Sequence, residues 1–345
     1  MQVASQVRRL VAAVSALFLS SSGLAAVEGI AVPSTAPSER PYRRAEPPFP
    51  AAYFSVGMER EADEDRSRPY WVESELETFA AARVVSDYRS LLLNDDIVAF
   101  YGSPKSTRMG ILGAYPMEEL DRLLGEWANA YDAANGERGV RKAFYIIYGT
   151  VWPEGEIGLL NESRLVEYVE YALAHDILVF VDHQIGKYTV AEAMRRILPF
   201  LRYPNVHLAL DPEWRTTNPM VEIGSVTAEE LNKAQETMED YIIEHGYPGE
   251  RMLVVHQFNY KMIAGRERVL SDFGRVRLVH CADGFGHPTL KRYAYNYNAL
   301  APNIPVKGFK LFFKSGVPGA GFDEPLMSPA DVLALQPRPF LVMYQ

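Results

Sequence analysis

Cysteine is almost missing from this chain: Cys281 is the single one among 345 residues. That excludes an internal disulfide and any zinc site built from cysteines. Basic charge is also short, with 35 Lys and Arg against 44 Asp and Glu and a net charge of -9. A general electrostatic grip on nucleic acid or an anionic membrane needs a basic face, so neither is expected as a partner. Long hydrophobic runs are lacking too. The longest N-terminal one, residues 10–19, is too short to span a bilayer comfortably and is followed by serines. No GxGxxG, GxxxxGK[ST], HExxH, HxH or GxSxG motif occurs. A phosphate-cradling loop, a helical zinc site and a serine nucleophile elbow therefore have no support, and neither a cofactor nor a metal is expected.

The first 26 residues have the layout of a secretory signal peptide. Arg8 and Arg9 form a positive start, the apolar run follows, and small residues lead to Ala25 and Ala26. The chain is thus expected to be secreted, cleaved near Ala26, and without stable membrane insertion afterwards. Residues 27–69 are rich in proline and in charge of both signs and read as a linker. A single domain is expected over 70–345.

Within that domain, short apolar runs recur at 97–102, 143–149, 177–184, 206–214, 252–258, 276–284, 306–314 and 339–345. They are nearly continuous in Val, Ile, Leu and Phe, as strands of a parallel sheet buried on both faces are. Amphipathic segments alternate with them at 117–135, 163–175, 189–201, 227–245, 288–300 and 329–335, with a weaker one at 260–273. Thr227 followed by Glu230 marks a capping box. Eight strands with helices between them predict a closed (β/α)8 TIM barrel, with its last strand at the C-terminus. A helix-like stretch over 76–93 is expected to replace the helix missing after the last strand.

In such a barrel the site forms where the strands end. The strand ends here carry Tyr101, Tyr148, Asp182 with His183 and Gln184, Asp211 with Glu213 and Trp214, His256 with Gln257, Asp283, and Lys310 with Lys314. Asp211 and Glu213, two apart on a strand, would face the mouth together. Like charges that close raise one pKa, which suits a general acid beside an ionised partner. Asp182, expected at the same level on the neighbouring strand, is the third candidate catalytic carboxylate. The remaining residues are candidate substrate contacts: Tyr101, Tyr148, Gln184, Trp214, His256, Gln257, Asp283, Lys310 and Lys314. The bland alternatives are ion pairs for the acids and core hydrogen bonds for the histidines. His183 and His256 could instead form the acid–base pair of a phosphodiesterase, and either lysine could carry a Schiff base. Aromatic rings among carboxylates at one rim fit a carbohydrate ligand, because rings stack on sugar faces and carboxylates accept from hydroxyls.

The strings LALDPEW, AFYGSP, VFVDHQIG, VVHQF, DGFG and KLFFK resemble secreted bacterial (β/α)8-barrel proteins of the glycoside-hydrolase kind, over roughly 95–345. They are similar to a group of exported actinobacterial-type proteins. The D-x-E on the fourth strand resembles the end of the chitinase-type motif DxxDxDxE. That resemblance implies Glu213 as the acid and Asp211 as the residue orienting a substrate acetamido group. The earlier aspartates of the motif are replaced, Ala209 standing at one of them, and the seventh strand offers lysines where other families carry a nucleophile. The expected function is hydrolysis of a cell-wall or environmental glycan. The alternative is a non-catalytic glycan- or wall-binding protein on the same scaffold.

Overall fold

The computed structural model describes residues 91–345. The expected signal segment, the linker and most of the expected leading helix lie outside the described residues. Of that helix only Leu91–Leu93 is described, as a single 3-10 turn.

Eight parallel strands close on themselves. They are β1 (Asp95–Gly102), β2 (Gly139–Val151), β3 (Ile177–Gln184), β4 (Val206–Asp211), β5 (Arg251–Gln257), β6 (Val276–Ala282), β7 (Lys307–Leu311) and β8 (Leu341–Tyr344). Closure is direct: Ile97 to Phe100 of β1 stand opposite Leu341 to Tyr344 of β8. The helices are α1 (Met117–Ala134), α2 (Glu162–Ala174), α3 (Val190–Ile197), α4 (Ala228–Glu244), α5 (Pro288–Ala299) and the short α6 (Pro329–Leu333). This is the expected (β/α)8 barrel with its last strand at the C-terminus.

Side-chain alternation splits the core into two layers. Ile97, Ala99 and Tyr101, Ala143 and Tyr145, Leu178 and Phe180, and Met252 and Val254 fill the barrel interior. Their neighbours Val98, Phe100, Phe144, Val179, Leu208 and Leu253 pack outward beneath the helices. Local signals set the helix starts. Thr227 and Glu230 form the expected capping box on α4, and Thr189 with Glu192 form a second on α3. The start of α2 is capped by Asn161, two residues before the segment expected from Ser163, because the Asn161 side chain accepts from Ser163 N at 2.9 Å.

Three strands stop earlier than their apolar runs suggest, each for a visible reason. Pro212 has no N–H to continue a ladder, so β4 ends at Asp211 and Pro212–Trp214 turn as 3-10 helix. Asp283 turns its side chain onto Gly284 N at 2.6 Å, where Gly284 adopts φ +93°. Beyond β7, Phe312 N is taken by Asp323 Oδ2 at 3.0 Å. The weaker helix expected over 260–273 does not form. Ile263–Ala264 instead pair with Val226–Thr227 as a small parallel strand, and Gly265 follows with φ +67°. The β5–β6 connection therefore carries only short 3-10 turns, and the ring of helices has a gap there.

A buried ionic knot holds the seam. Asp96 accepts from Arg138 Nε at 2.8 Å, from Asn135 Nδ2 at 3.3 Å, and from Arg338. Arg138 also donates to Leu92 O and Asp95 O at 2.7 and 2.6 Å. One carboxylate thus joins the start of β1 to the segments entering β2 and β8. Asp96→Ala would leave two guanidinium groups without their shared partner. We expect it to cost about 3–5 kcal/mol in urea unfolding, as removing one side of a buried pair does. A loss below about 1 kcal/mol would show that the knot contributes little.

Candidate active site

The inward positions at the C-terminal ends of the strands carry one connected set of charged groups. Tyr101 OH donates to Asp182 Oδ2 at 3.0 Å. Tyr145 OH lies 2.7 Å from His256 Nε2, and His256 Nδ1 lies 3.2 Å from Asp283 Oδ2. Lys310 Nζ reaches the same Asp283 oxygen at 3.2 Å and stands 3.8 Å above the Tyr101 ring. All five side chains besides Tyr145 come from five different strands or their ends, and all are buried. Asp211, in register with Gln184, closes the ring.

Electrostatics sort the carboxyls. Burial alone would raise Asp283, but the Lys310 charge and the His256 bond reverse this and hold it well below the ordinary range. His256 shows the reciprocal effect. Burial opposes its charged form, yet the Asp283 bond and the Asp211 charge raise it well above an ordinary histidine. The Lys310 ammonium is stabilised in the same way by Asp283, Asp211 and Asp182. Burial, with the neighbouring Asp182 charge, pushes Asp211 up to about 7. Glu213 is raised well above its usual value by burial, Asp211 and Asp283. Asp182 is also raised by burial, and its Oδ1 is buried without a hydrogen bond. The mouth thus sets one carboxyl that is held low, Asp283, beside carboxyls that burial pushes up.

Several sequence expectations change in detail. Glu213 shares the field of Asp211, Asp283, Lys310 and His256, but it stands on a 3-10 turn and not on the strand. Its backbone N–H donates to Asp211 Oδ1 at 3.3 Å, so the turn and not strand periodicity brings the pair together. Asp182 stands opposite Ala209, one interior layer deeper than Asp211 rather than level with it. Gln184 accepts from Val151 N at 2.8 Å and fixes the end of β2. Trp214 is half-buried on the turn beside Glu213.

Four residues do not join the cluster. His183 points outward, is pressed against Gly149, and has both ring nitrogens buried without a hydrogen bond. Burial and then Arg196 push it down to about 3, so it stays neutral and is a core residue. The phosphodiesterase pair with His256 is therefore not assembled. Gln257 also faces outward and accepts from His280 Nε2 at 2.8 Å. Tyr148 packs its ring 5.0 Å from Phe200, because alternation puts it with Phe144 and Ile146 on the outward face of β2. Lys314 is exposed beyond the end of β7, with Nζ 5.6 Å from the Phe322 ring, so it does not share a strand face with Lys310.

Tyr145 was not expected here, although its spacing of two from Ala143 marks the inward face. Lys291 and Asp323 were also missed, and no motif signals them. Lys291 Nζ donates to Gly284 O and, at 2.5 Å, to Lys310 O. Asp323 accepts from Gly286 N at 2.8 Å and from Phe312 N. This buried pair, 3.5 Å apart, ties down the peptides adjoining Asp283 and Lys310. Ligand atoms of Asp211, His256 and Asp283 all lie within 4.8 Å of one another, close enough to surround a metal ion. Lys310 and Tyr145 already engage Asp283 and His256, which also bind each other, so a cation there would have to displace the protein's own charges.

No protein-family model matches the chain, and no curated protein matches it. Among solved structures it is similar to a family 18 chitinase from Crocus vernus. The identity is 11%, the match covers 59% of this chain and 82% of that one, and the TM-score is 0.34. The barrel is established by the chain's own closed strand order. Among the described residues, no helix is long and apolar enough to cross a membrane.

The raised Asp211 carboxyl has a consequence for stability. The folded protein keeps this proton up to about pH 7, whereas the unfolded chain releases it near pH 4. Stability contributed by this group is therefore lost as pH rises through that window. Asp211→Asn should gain urea stability relative to the parent between about pH 5 and about pH 8. Parallel pH curves for the two proteins would show that Asp211 is already ionised in the folded state.

Proposed function

We propose that the chain is an exported, glycoside-hydrolase-like barrel enzyme that cleaves a cell-wall or environmental glycan by carboxylate acid–base chemistry. The observation that carries this reading is the gathering of carboxyls with opposed environments at the mouth: burial pushes Glu213, bonded through its N–H to Asp211, well up, while Lys310 and His256 at 3.2 Å hold Asp283 low. Pairs of carboxyls driven apart in this way suit an acid and its charged partner.

In the proposed reaction the Glu213 proton passes to the glycosidic oxygen as the bond from that oxygen to the anomeric carbon breaks. Positive charge then develops on the sugar ring. Asp283 stabilises it as a fixed charge, because its oxygens are already engaged by His256, Lys310 and Gly284 N. Asp211 has only its Oδ1 engaged, by Glu213 N. Its Oδ2 is the oxygen available to orient the substrate and, in the ionised form that is reached near pH 7, to take a proton from the attacking water. Trp214, beside the acid, offers a ring for a sugar face. Tyr101 and Gln184 hold the surrounding wall through Asp182 and Val151.

A second reading, non-catalytic glycan binding on the same scaffold, draws support from the depth of Asp182, Asp211 and Asp283, all of them buried. One experiment separates the two. The protein is assayed against a panel of wall and plant polysaccharides for release of reducing ends. Glu213→Gln should lower turnover by roughly 10²–10⁴-fold, the usual contribution of a general acid, while retaining binding. Full activity in the variant would refute Glu213 as the acid. Glycan binding without turnover in the parent would favour the binding protein.

A further inference from the structure

The gap in the helix ring is also the place of a second cleft. Where β5 passes to β6 without a helix, a cavity of about 770 Å³ opens between the 260–267 segment and the C-terminal end of α5. Tyr260 and Leu300 line it and are unusually exposed for their size, at 65% and 74%. Lys261 Nζ lies 5.9 Å from the Tyr260 ring. Opposite them, the Arg266 guanidinium stacks 4.0 Å over Tyr297 and donates to Tyr297 O at 3.0 Å.

Neither cation is paired with a carboxylate among the described residues. The acidic group in the lining, Glu267, is taken by Arg268 at 3.2 Å. Most other cations among the described residues have an acidic partner, so two uncompensated ones lining a single cleft are distinctive. Lys307, buried behind Ala301 and bonded to its carbonyl at 2.9 Å, is pushed down to about 7 by burial and by Arg266. His280 is lowered by burial and by both of those charges.

We propose that this flank cleft is a second binding site, for a sugar carrying a carboxylate or phosphate group. The sugar ring would lie on Tyr260, and its anionic group would sit between Lys261 and Arg266. Asn303 is not the recognition group, because its amide is spent on Arg266 O and Val269 O. The proposal does not depend on turnover at the barrel mouth, and it would stand for a binding protein as well.

Titration calorimetry on the full chain tests it with four probes: a uronic-acid trisaccharide, a neutral trisaccharide, a hexose phosphate and inorganic phosphate. At least one acidic sugar should bind saturably, more tightly than the neutral sugar and more weakly as salt rises. Comparing the uronate with the hexose phosphate identifies the anion. Lys261→Gln alters an exposed side chain and should fold normally, and it should weaken that binding roughly 10- to 100-fold, the worth of one charged contact. Arg266→Gln should do the same, and Tyr260→Ala should weaken the sugars but not inorganic phosphate. Glu213→Gln, at the barrel mouth, should leave this binding unchanged. The proposal is overturned if neither acidic sugar exceeds the neutral one, or if Lys261→Gln binds like the parent. It is equally overturned if inorganic phosphate binds as tightly as the hexose phosphate, since the ring would then contribute nothing.

Discussion

The Lys310–Asp283–His256 chain is the interaction on which the candidate site depends. Several carboxyls converge on a barrel interior that water barely reaches, and uncompensated charge there is costly. Two cations, one ammonium and one imidazolium, meet a single Asp283 oxygen and fix it as an anion. Once that charge is settled, Asp211, Asp182 and Glu213 experience a neighbour that is already negative. Burial raises the pKa of each, and the Asp283 charge adds to that rise. The lowered and raised carboxyls thus belong to one arrangement. Removing Lys310 would change the protonation of residues it does not touch.

That arrangement needs the peptides around it to be held still. Asp283 and Lys310 stand at the ends of β6 and β7, where the ladder hydrogen bonds run out. Lys291 and Asp323 take over at this point, binding the carbonyls of Gly284 and Lys310 and the N–H groups of Gly286 and Phe312. The Phe309 and Phe312 rings flank the Lys291 ammonium at 4.9 and 5.0 Å and keep water away from it. A buried pair of this kind adds little net stability but specifies one geometry, and here that geometry belongs to the ion pair next door.

The barrel was legible in the sequence because it rests on periodicity. Runs of β-branched and aromatic residues recur at near-regular spacing, and a strand buried on both faces has no other way to look. The direction of each side chain at the strand ends was less legible. Alternation assigns faces only while the strand lasts, and Pro212 and the Asp283 turn each break the count at the position where function begins. Asp211 and Glu213 were found by a rule that does not apply to them, since a 3-10 turn joins them. His183 shows the opposite failure: it shares a short string with Asp182, yet one residue of offset puts it in the outer core. Lys291 and Asp323 could not have been read at all, because a loop clamp has neither a period nor a motif.

Two electrostatic regimes share this chain. The mouth gathers Asp182, Asp211, Glu213 and Asp283 around two cations that are already spent on them, so it offers an incoming anion no free positive charge. An anionic group on a ligand would be desolvated there beside like charge. The flank cleft is the reverse, with two cations unopposed by carboxylates on a protein whose net charge is -9. Electrostatics would thus favour neutral, hydroxyl-rich sugar at the mouth and acidic sugar at the flank. The missing β5–β6 helix is what permits this separation. A helix in that position would lie over the face where Lys261 and Arg266 stand without a carboxylate partner among the described residues.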